Sequence, residues 1–229
     1  MSGAASLAVV ADAHLGGPGG EAGPLVAQIR ALPEEGVERL VLLGDLLQVW
    51  VGYEQYQTAE SRALLAAVAE VRARGLRVDY IEGNRDFFLA AGPCRGAFDS
   101  VGTEIAATAG GVRHLLVHGD GLNDRDRQYL AWRWLSKSWP VRTVIRRLPR
   151  RAVAPFLHGT ERRLSGTNFK HKAEIPEAAI RRYAERRLAE GHDLLVLGHF
   201  HEPRRWQVAG GEVLLLDAWF KSRRVERLG

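Results

Sequence analysis

Short apolar runs recur along the chain, and each ends in a polar or glycine-containing corner. The runs cover residues 7–11, 40–43, 78–81, 115–117 and 194–197. Runs this short, bounded by glycine and polar side chains, are typical of buried β-strands. Because loops converge at the carboxyl ends of the strands in layered α/β proteins, we expect the functional side chains there.

Helical periodicity fills the intervals between these strands, at about 24–32, 58–74 and 175–190. Strands that alternate with helices predict an α/β layered fold. Near the end of the chain, apolar segments at 206–208 and 212–216 flank a Gly-Gly pair, which predicts a hairpin. We therefore expect a sandwich of mixed sheets flanked by helices.

One stretch, residues 125–163, contains no strand-like run and predicts a helical insertion. It holds ten arginines and Lys137 against two acids, a net charge of +9, although the whole chain carries only +5. Half of the six tryptophans also fall here, at 132, 134 and 139. Because strand-like and ligand-type residues follow it, we expect a single domain over 1–229 that carries this insertion as a cap.

Composition excludes several classes of protein. With 229 residues, 46% of them hydrophobic, the chain can bury a full core. A single cysteine, Cys94, excludes a disulfide framework and a cysteine-based zinc site. The apolar runs fall far short of the roughly 20 residues that span a bilayer, and the N-terminus lacks the features of a signal peptide. We expect a cytoplasmic protein.

Seven oxygen and imidazole donors stand at the predicted strand ends. They are Asp12, His14, Asp45, Asn84, His118, His199 and His201. Such donors suit Mn²⁺, Fe, Zn²⁺ or Mg²⁺. Because seven donors exceed what one ion takes, we expect two ions that share Asp45. The first metal position would be completed by Asp12, His14 and His201. The second metal position would be completed by Asn84, His118 and His199.

The order of these signals resembles the calcineurin-like metallophosphoesterase family over about residues 7 to 220. The matching motifs are Asp12-x-His14, Gly44-Asp45, Gly83-Asn84, His118-Gly119 and Gly198-His199-x-His201. The resemblance implies a four-layer α/β/β/α sandwich with two metal ions at the sheet edges. Two such ions activate water and stabilise an in-line displacement at phosphorus.

Longer motifs resemble one branch of that family, the UDP-2,3-diacylglucosamine diphosphatases of lipid A synthesis. They are LGDLLQVWVG at 43–52, GNRDFFL at 83–89, HGDGL at 118–122 with Asp126 and Tyr129, and the closing Ala218-Trp219. The resemblance implies a Mn²⁺-dependent enzyme, peripheral on the cytoplasmic face of the inner membrane. It would cleave UDP-2,3-diacylglucosamine to UMP and 2,3-diacylglucosamine 1-phosphate. The resemblance also implies substrate contacts from Asn84, Arg85, Asp126, Tyr129, Asn168 and His199, and from His171 or Lys172, between which a one-residue shift decides.

Arg85 and Asp86 are the predicted catalytic residues beside the ligands. Many relatives place histidine where Arg85 stands, and arginine cannot act as a general acid near neutrality. A sugar phosphate leaves without such help, since its second pKa is roughly 6. Arg85 can instead neutralise charge on the transferring phosphoryl group, or it can pair with Asp86.

The sequence departs from the branch at three positions near the site. Gln48 stands where an acid is common, Phe200 where threonine is usual, and Phe220 where the branch has a polar residue. A missing acid could change metal affinity or substrate choice. These departures leave the seven predicted ligands intact.

The insertion suits a diacylated substrate at an anionic membrane. Apolar side chains could line an acyl slot, with arginines outside it; the slot candidates are Leu130, Trp134, Leu135, Val141, Val144, Ile145, Val153, Phe156 and Leu157. The structural alternative for the insertion is a small cap with a solvated arginine face.

Two alternative functions remain for the whole protein. They are a phosphodiesterase acting on nucleotides or nucleic acid, and a non-catalytic scaffold. We expect no nucleic-acid partner, and the sequence indicates no obligate protein partner.

Overall fold

Two five-stranded sheets form the centre of the protein in the computed structural model, which describes residues 6–149, 151–153, 159 and 175–229. The strands are β1 (Leu7–Val10), β2 (Arg39–Leu42), β3 (Trp50–Val51), β4 (Arg77–Ile81), β5 (Asp86–Phe87), β6 (Ser100–Gly102), β7 (Glu104–Ala109), β8 (Val112–Val117), β9 (Leu194–Leu197), β10 (Arg204–Val208), β11 (Gly211–Leu215) and β12 (Glu226–Leu228). The helices are α1 (Ala22–Ala31), α2 (Ala59–Ala73), α3 (Arg127–Ser136), α4 (Trp139–Arg147), α5 (Glu177–Leu188) and α6 (Trp219–Ser222), and 3₁₀ turns lie at Glu54–Tyr56 and Pro93–Ala97.

The first sheet has the strand order β12-β1-β2-β4-β6, and the second has the order β10-β11-β9-β8-β7. In the first sheet, β1, β2, β4 and β6 run parallel and β12 pairs antiparallel with β1. In the second, β8, β9 and β11 are parallel, while β7 and β10 close the two edges antiparallel. The parallel strands bring their carboxyl ends to one edge of each sheet.

Three apolar clusters stack the elements into four layers. Leu25 and Ile29 of α1, together with Leu64 and Val68 of α2, pack on the outer face of the first sheet. A second cluster lies between the sheets, where Val9 and Val41 meet residues of β8 and β9. In the third, Ile180, Ala184 and Leu188 of α5 cover the outer face of the second sheet. The predicted α/β/β/α sandwich is confirmed.

The five predicted strands and the C-terminal hairpin are present, and the three predicted helices begin and end within a few residues of their expected bounds. The sequence missed the short pair β3 and β5, and also β6, β7 and β12. Strand β7 is rich in alanine and alternates between exposed and buried positions, so it carries no continuous apolar run.

Between β8 and α5, the described part of the insertion is helical, as the sequence predicts. Helices α3 and α4, called the cap from here on, follow one another closely. The single hydroxyl hydrogen of Tyr56 in the body is shared between the carbonyl oxygens of Ile145 and Leu148, which each lie 2.8 Å from the hydroxyl oxygen. Ile145 and Val153 join an apolar cluster with Val51 and Phe87 of the body. The cap is therefore fastened to the sandwich beside β3 and β5.

The prediction of an acyl slot is wrong for some of the residues that were expected to line it. Ile145 and Val153 are buried against the body, but Trp134, Leu135 and Val144 are 76%, 57% and 55% exposed. The two groups face different surroundings, so they do not line one enclosed slot. Phe156 and Leu157 lie outside the described residues, and so does Arg150, one of the arginines expected on the outside of the slot.

Candidate metal centre

All seven predicted donors follow the carboxyl ends of parallel strands. Asp12 and His14 follow β1, Asp45 follows β2, and Asn84 follows β4, all in the first sheet. In the second sheet, His118 follows β8, and His199 and His201 follow β9. Since the two sheets pack face to face, the structure brings donors from both to one edge of the sandwich.

The donors of the first position lie around the Asp12 carboxylate. His201 Nε2 lies 2.9 Å from Asp12 Oδ1, and His14 Nε2 lies 3.7 Å from the same oxygen. His14 Nε2 is also 3.9 Å from Asp45 Oδ2, the carboxylate that the two positions are expected to share. The ligand atoms of Asp12, His14 and His201 all lie within 4.8 Å of one another, so one ion could bridge them.

The donors of the second position surround His118. His118 Nε2 lies 3.6 Å from Asp45 Oδ1 and 3.3 Å from Asn84 Oδ1. On its other side, His118 Nδ1 lies 2.8 Å from the carbonyl oxygen of Leu43. A ring whose Nδ1 donates to a carbonyl presents its Nε2 lone pair to a metal, which is the usual support for a histidine ligand.

His199 joins the second position through its ring, and its backbone contacts Asp12 of the first position. Its ring centroid lies 5.3 Å from that of His118, and its amide donates to Asp12 Oδ2 at 2.8 Å. The amide contact ties the loop after β9 in the second sheet to the loop after β1 in the first. The backbone of His199 therefore helps to fix Asp12.

The backbone at five of the seven donors is left-handed. Positive φ angles occur at Asp12, His14, Asp45, His199 and His201, from 47° to 67°. Such angles are uncommon outside glycine and cost of order 1–3 kcal/mol each. The fold holds these residues in an unfavourable conformation because their side chains must converge on one place, and this is typical of functional sites.

The absence of a side chain at two glycines provides the space in which the donors meet. A Cβ atom at Gly83 would lie 2.3 Å from Asp45 Oδ1, and one at Gly44 would lie 2.6 Å from His118 Nδ1. Gly44 also has a φ of +81°. A side chain at either position would displace a predicted ligand, which explains why glycine precedes both Asp45 and Asn84.

Opposite charges dominate the electrostatics of this cluster. Burial works against ionisation of Asp12 and Asp45, but neighbouring histidines outweigh it and hold the pKa of both carboxyls well below the usual range. Burial likewise opposes a charge on His118, yet Asp45 raises the pKa of that imidazole to about 10. A metal ion bound at Nε2 would take the place of the proton there. The cluster therefore carries buried anionic oxygen that attracts cations.

His14 Nε2 provides a test of whether a metal fits. This nitrogen is buried, and it has no hydrogen-bond partner among the described residues. It faces Asp12 and Asp45 at distances too long for a hydrogen bond and suited to an ion held between them. The carboxylate and imidazole donors fit divalent metal ions.

Arg85 lies beside the predicted bridging carboxylate. Its side chain is nearly fully buried, and its Nε lies 3.5 Å from Asp45 Oδ2. Its Nη1 donates to the carbonyl oxygen of Gln48 at 3.0 Å, and its backbone amide donates to Asp45 Oδ1 at 2.8 Å. Among the described residues, Arg85 pairs with Asp45 and not with Asp86, so the alternative pairing is wrong.

Asp86 lies behind the donors and is fully buried. Its Oδ2 accepts the amides of Asp45 at 3.0 Å and Gly83 at 2.7 Å. Burial and the charge of Asp45 raise the pKa of the Asp86 carboxyl to about 7. These contacts hold the loops that carry Asp45 and Asn84, and a catalytic role for Asp86 stays a prediction.

Two of the predicted substrate contacts begin the cap. Asp126 caps α3, since its Oδ1 accepts the amide of Tyr129 at 2.9 Å. Tyr129 donates its hydroxyl to Asp120 Oδ2 at 2.7 Å. Both side chains thus have structural partners, and their contact with substrate stays a prediction. Asn168, His171 and Lys172 lie outside the described residues.

The sequence reasoning missed several residues next to the centre. Asp120 is buried two residues after His118 and binds Arg133 of the cap, while Lys137 reaches the carbonyl oxygen of Gly83. Phe220, noted in the sequence only as a departure, packs against His14. The one sequence signal for Asp120 was its place in the His118-Gly119-Asp120 motif. Arg133 was missed because it is one of ten arginines in the insertion, and the sequence does not distinguish it from the others.

The layered sandwich and the donor cluster at its strand ends define a metallophosphoesterase. Within that class, the chain belongs to the UDP-2,3-diacylglucosamine hydrolase family. It is 31% identical to a UDP-2,3-diacylglucosamine hydrolase of Ralstonia nicotianae over 201 residues, 79% of this chain and 71% of that protein. It is also 31% identical to the protein of the same name from Azotobacter vinelandii over 224 residues, 92% of this chain and 89% of the relative. No protein-family model matches the chain.

Solved structures similar to this chain have low sequence identity to it. Vacuolar protein sorting 29 from Cryptosporidium parvum has a TM-score of 0.47 at 14% identity, over 95% of this chain and 76% of that one. An archaeal phosphodiesterase has a TM-score of 0.43 at 11% identity, over 97% of this chain and 98% of its own.

Proposed function

We propose that this protein hydrolyses the diphosphate of UDP-2,3-diacylglucosamine, releasing UMP and 2,3-diacylglucosamine 1-phosphate for lipid A synthesis. The observation that carries the proposal is the convergence of Asp12, His14, Asp45, His118 and His201 at one edge of the sandwich. Membership of a family whose relatives bear this substrate in their names supports the choice of substrate.

We propose two divalent ions, Mn²⁺ in the cell, shared by Asp45. The first would be held by Asp12, His14 and His201, and the second by Asn84, His118 and His199. When bound, two such ions activate water and neutralise charge at a phosphoryl group. The hard oxygen and imidazole donors support Mn²⁺ over a thiophilic metal.

The chain's own residues would serve this reaction in distinct ways. Arg85 places a permanent positive charge next to Asp45, where it would stabilise negative charge on the transferring phosphoryl group. No proton donor is required at that position, because a sugar phosphate leaves as an anion. Asp86 would keep the Asp45 and Gly83 amides in place throughout.

We propose that the cap meets the membrane and the acyl chains of the substrate. Of the large hydrophobic side chains that are exposed among the described residues, all but Val112 belong to the cap or to Leu148 just after it. Trp139 is 68% exposed at the start of α4, and Arg146 and Arg147 lie in its last turn. Exposed tryptophan with nearby arginine suits an anionic lipid surface. None of the helices in the described ranges has the length and hydrophobicity to cross a membrane.

The decisive experiment is incubation of the purified protein with Mn²⁺ and UDP-2,3-diacylglucosamine, with separation of UMP from UDP. We expect UMP, and a loss of about a hundredfold or more on Asp45→Asn, which removes the shared ligand. Asp124→Asn is the matched control, because Asp124 is exposed and pairs with Arg182 on the surface. The same reaction with Mg²⁺ or Zn²⁺ in place of Mn²⁺ tests the choice of metal.

Two results would contradict this function. Release of UDP would place the cleavage at the wrong bond. Cleavage of short nucleotide diesters or nucleic acid, without cleavage of the lipid substrate, would favour a phosphodiesterase instead.

A further inference from the structure

Helix α3 of the cap contacts two of the three loops that carry donors of the second position, the loop after β8 and the loop after β4. Asp120, two residues after His118, is 5% exposed. Its Oδ2 accepts hydrogen bonds from the Tyr129 hydroxyl at 2.7 Å and from Arg133 Nε at 2.5 Å. Just past the C-terminal end of the helix, Lys137 Nζ donates to the carbonyl oxygen of Gly83 at 2.6 Å.

These contacts lie next to the ligands themselves. Gly83 directly precedes Asn84, and Asn84 Oδ1 lies 3.3 Å from His118 Nε2. A shift of either loop would therefore change the distance between Asn84 and His118. Because Tyr129 and Arg133 of α3 bind one loop and Lys137, which directly follows the helix, binds the other, α3 fixes the separation of these two donors.

The contacts of Arg133 and Lys137 are strong enough to hold the two loops in place. The Arg133–Asp120 pair is a charge-assisted hydrogen bond to a buried carboxylate, and removal of its cation would leave that charge poorly compensated. Lys137 Nζ also lies 5.7 Å from the centroid of the Phe87 ring, which adds a cation–π contact on the body.

Other elements support the first position. Phe220, at the start of α6, packs against the rings of His14 and His201. Lys221 Nζ donates to the carbonyl oxygen of His201 at 2.9 Å. Supports for the two positions thus come from different parts of the chain.

We propose that α3, through Tyr129, Arg133 and Lys137, is a positioning element that sets the metal affinity of the second position separately from that of the first. The inference rests on the proposed function, from which it takes the two metal positions. It also couples the cap, the part of the protein expected to meet the lipid, to one of the two ions.

The test measures Mn²⁺ binding to the full-length protein after chelation, from the electron paramagnetic resonance signal of the unbound ion. We expect two ions per wild-type chain. Arg133→Met and Lys137→Met should each weaken one of the two by about 10–100-fold, the usual effect of losing a partner of a metal ligand. Arg127→Met is the matched control, since Arg127 is an exposed arginine on the same helix.

Two variants, each with one metal position disabled, show which of the two ions loses affinity. His201→Ala disables the first position, so adding Lys137→Met should weaken the ion that remains. Asn84→Ala disables the second position, and there Lys137→Met should change the affinity by less than about twofold. If Arg133→Met fails to fold, Tyr129→Phe replaces it in the test. This variant removes the hydroxyl that donates to Asp120, so it should also weaken Mn²⁺ binding at the second position. Arg133→Lys, which keeps the charge, should recover part of the affinity.

Equal weakening of both ions, or of neither, by the α3 substitutions would overturn the inference. That result leaves the proposed function standing, because the wild-type protein would still bind two ions. Failure of the wild-type protein to bind Mn²⁺ would overturn the proposed metal centre, and the two failures are therefore distinguishable.

Discussion

Phe220 stacks on the imidazole of His14, with ring centroids 5.0 Å apart and ring planes inclined by 23°. The same phenyl ring meets His201 edge-on, with centroids 5.3 Å apart. A phenyl ring offers no hydrogen bond, so it orients these two predicted ligands by packing alone. The sequence resemblance leads us to expect a polar residue at this position, and the chain therefore supports its first metal position differently.

Replacing Phe220 with alanine should weaken Mn²⁺ binding at the first position by about three- to tenfold. Aromatic contacts of this kind contribute about 0.5–1.5 kcal/mol, and 1.4 kcal/mol corresponds to tenfold in affinity. Titration of the metal-free Asn84→Ala variant, with and without Phe220→Ala, measures the effect on the first ion alone. Phe200→Ala is the control, because Phe200 lies edge-on to His199 of the second position. An unchanged affinity in Phe220→Ala would show that the stacking has no role.

The left-handed backbone at His201 predicts an unusual order of stability. His201→Gly should be more stable than His201→Ala by about 1 kcal/mol, because glycine adopts a φ of 55° without strain and alanine does not. Urea unfolding of the metal-free variants measures the difference, and both lose the same ring. At Ala66, an exposed helical position in α2, the same comparison should reverse, with glycine less stable than alanine by about 1 kcal/mol. Equal stability of the two His201 variants would argue against backbone strain at the site.

Asp79 on β4 predicts a dependence of stability on pH. Its buried carboxylate accepts hydrogen bonds from Arg39 Nε at 2.7 Å, Arg77 Nε at 3.0 Å and Ser100 Oγ at 2.6 Å. Burial opposes its ionisation, but these donors prevail and lower the pKa of Asp79. At neutral pH, Asp79→Asn should lower the free energy of unfolding by roughly 2 kcal/mol.

A lowered folded-state pKa gives the sign of that dependence. The stabilisation by Asp79 is fully present above the unfolded pKa of about 3.9 and is lost as the pH falls through the lower folded value. The gap between wild type and Asp79→Asn should therefore shrink as the pH falls from about 5 to about 3. Urea unfolding without metal measures it, with the exposed Asp124→Asn as control. A gap that stays constant over this range would contradict the assignment.

The exposed tryptophans of the cap predict binding to an anionic membrane. Removing both, as Trp134→Ala with Trp139→Ala, should weaken binding to vesicles that contain phosphatidylglycerol by about tenfold or more, since each loses an apolar contact with lipid. Co-sedimentation at low and high salt measures the binding, and salt should weaken it because the nearby arginines contribute. Val112→Ala is the matched control, an exposed apolar residue outside the cap. Equal binding by the double variant and wild type would exclude the cap as the docking surface.

The sequence by itself determined the layered fold and the candidate donors. Strands such as β1 and β9 are buried on both faces, so they appear as continuous apolar runs, and a polar residue marks the end of each run. Asp12, Asp45 and His118 could therefore be found from local pattern alone. The edge strands β7 and β12 could not, because a partly exposed strand leaves no such run.

Tertiary structure decided which partners these residues have. Arg85 turns toward Asp45 and not toward its chain neighbour Asp86, because the loop after β4 packs against the loop after β2. Within the cap, Ile145 faces the body while the adjacent Val144 faces solvent, a distinction that composition cannot make. The bond between Arg133 and Asp120 joins the cap to the loop of a predicted ligand. Such contacts depend on how separate elements pack, and local sequence specifies the elements without specifying their neighbours.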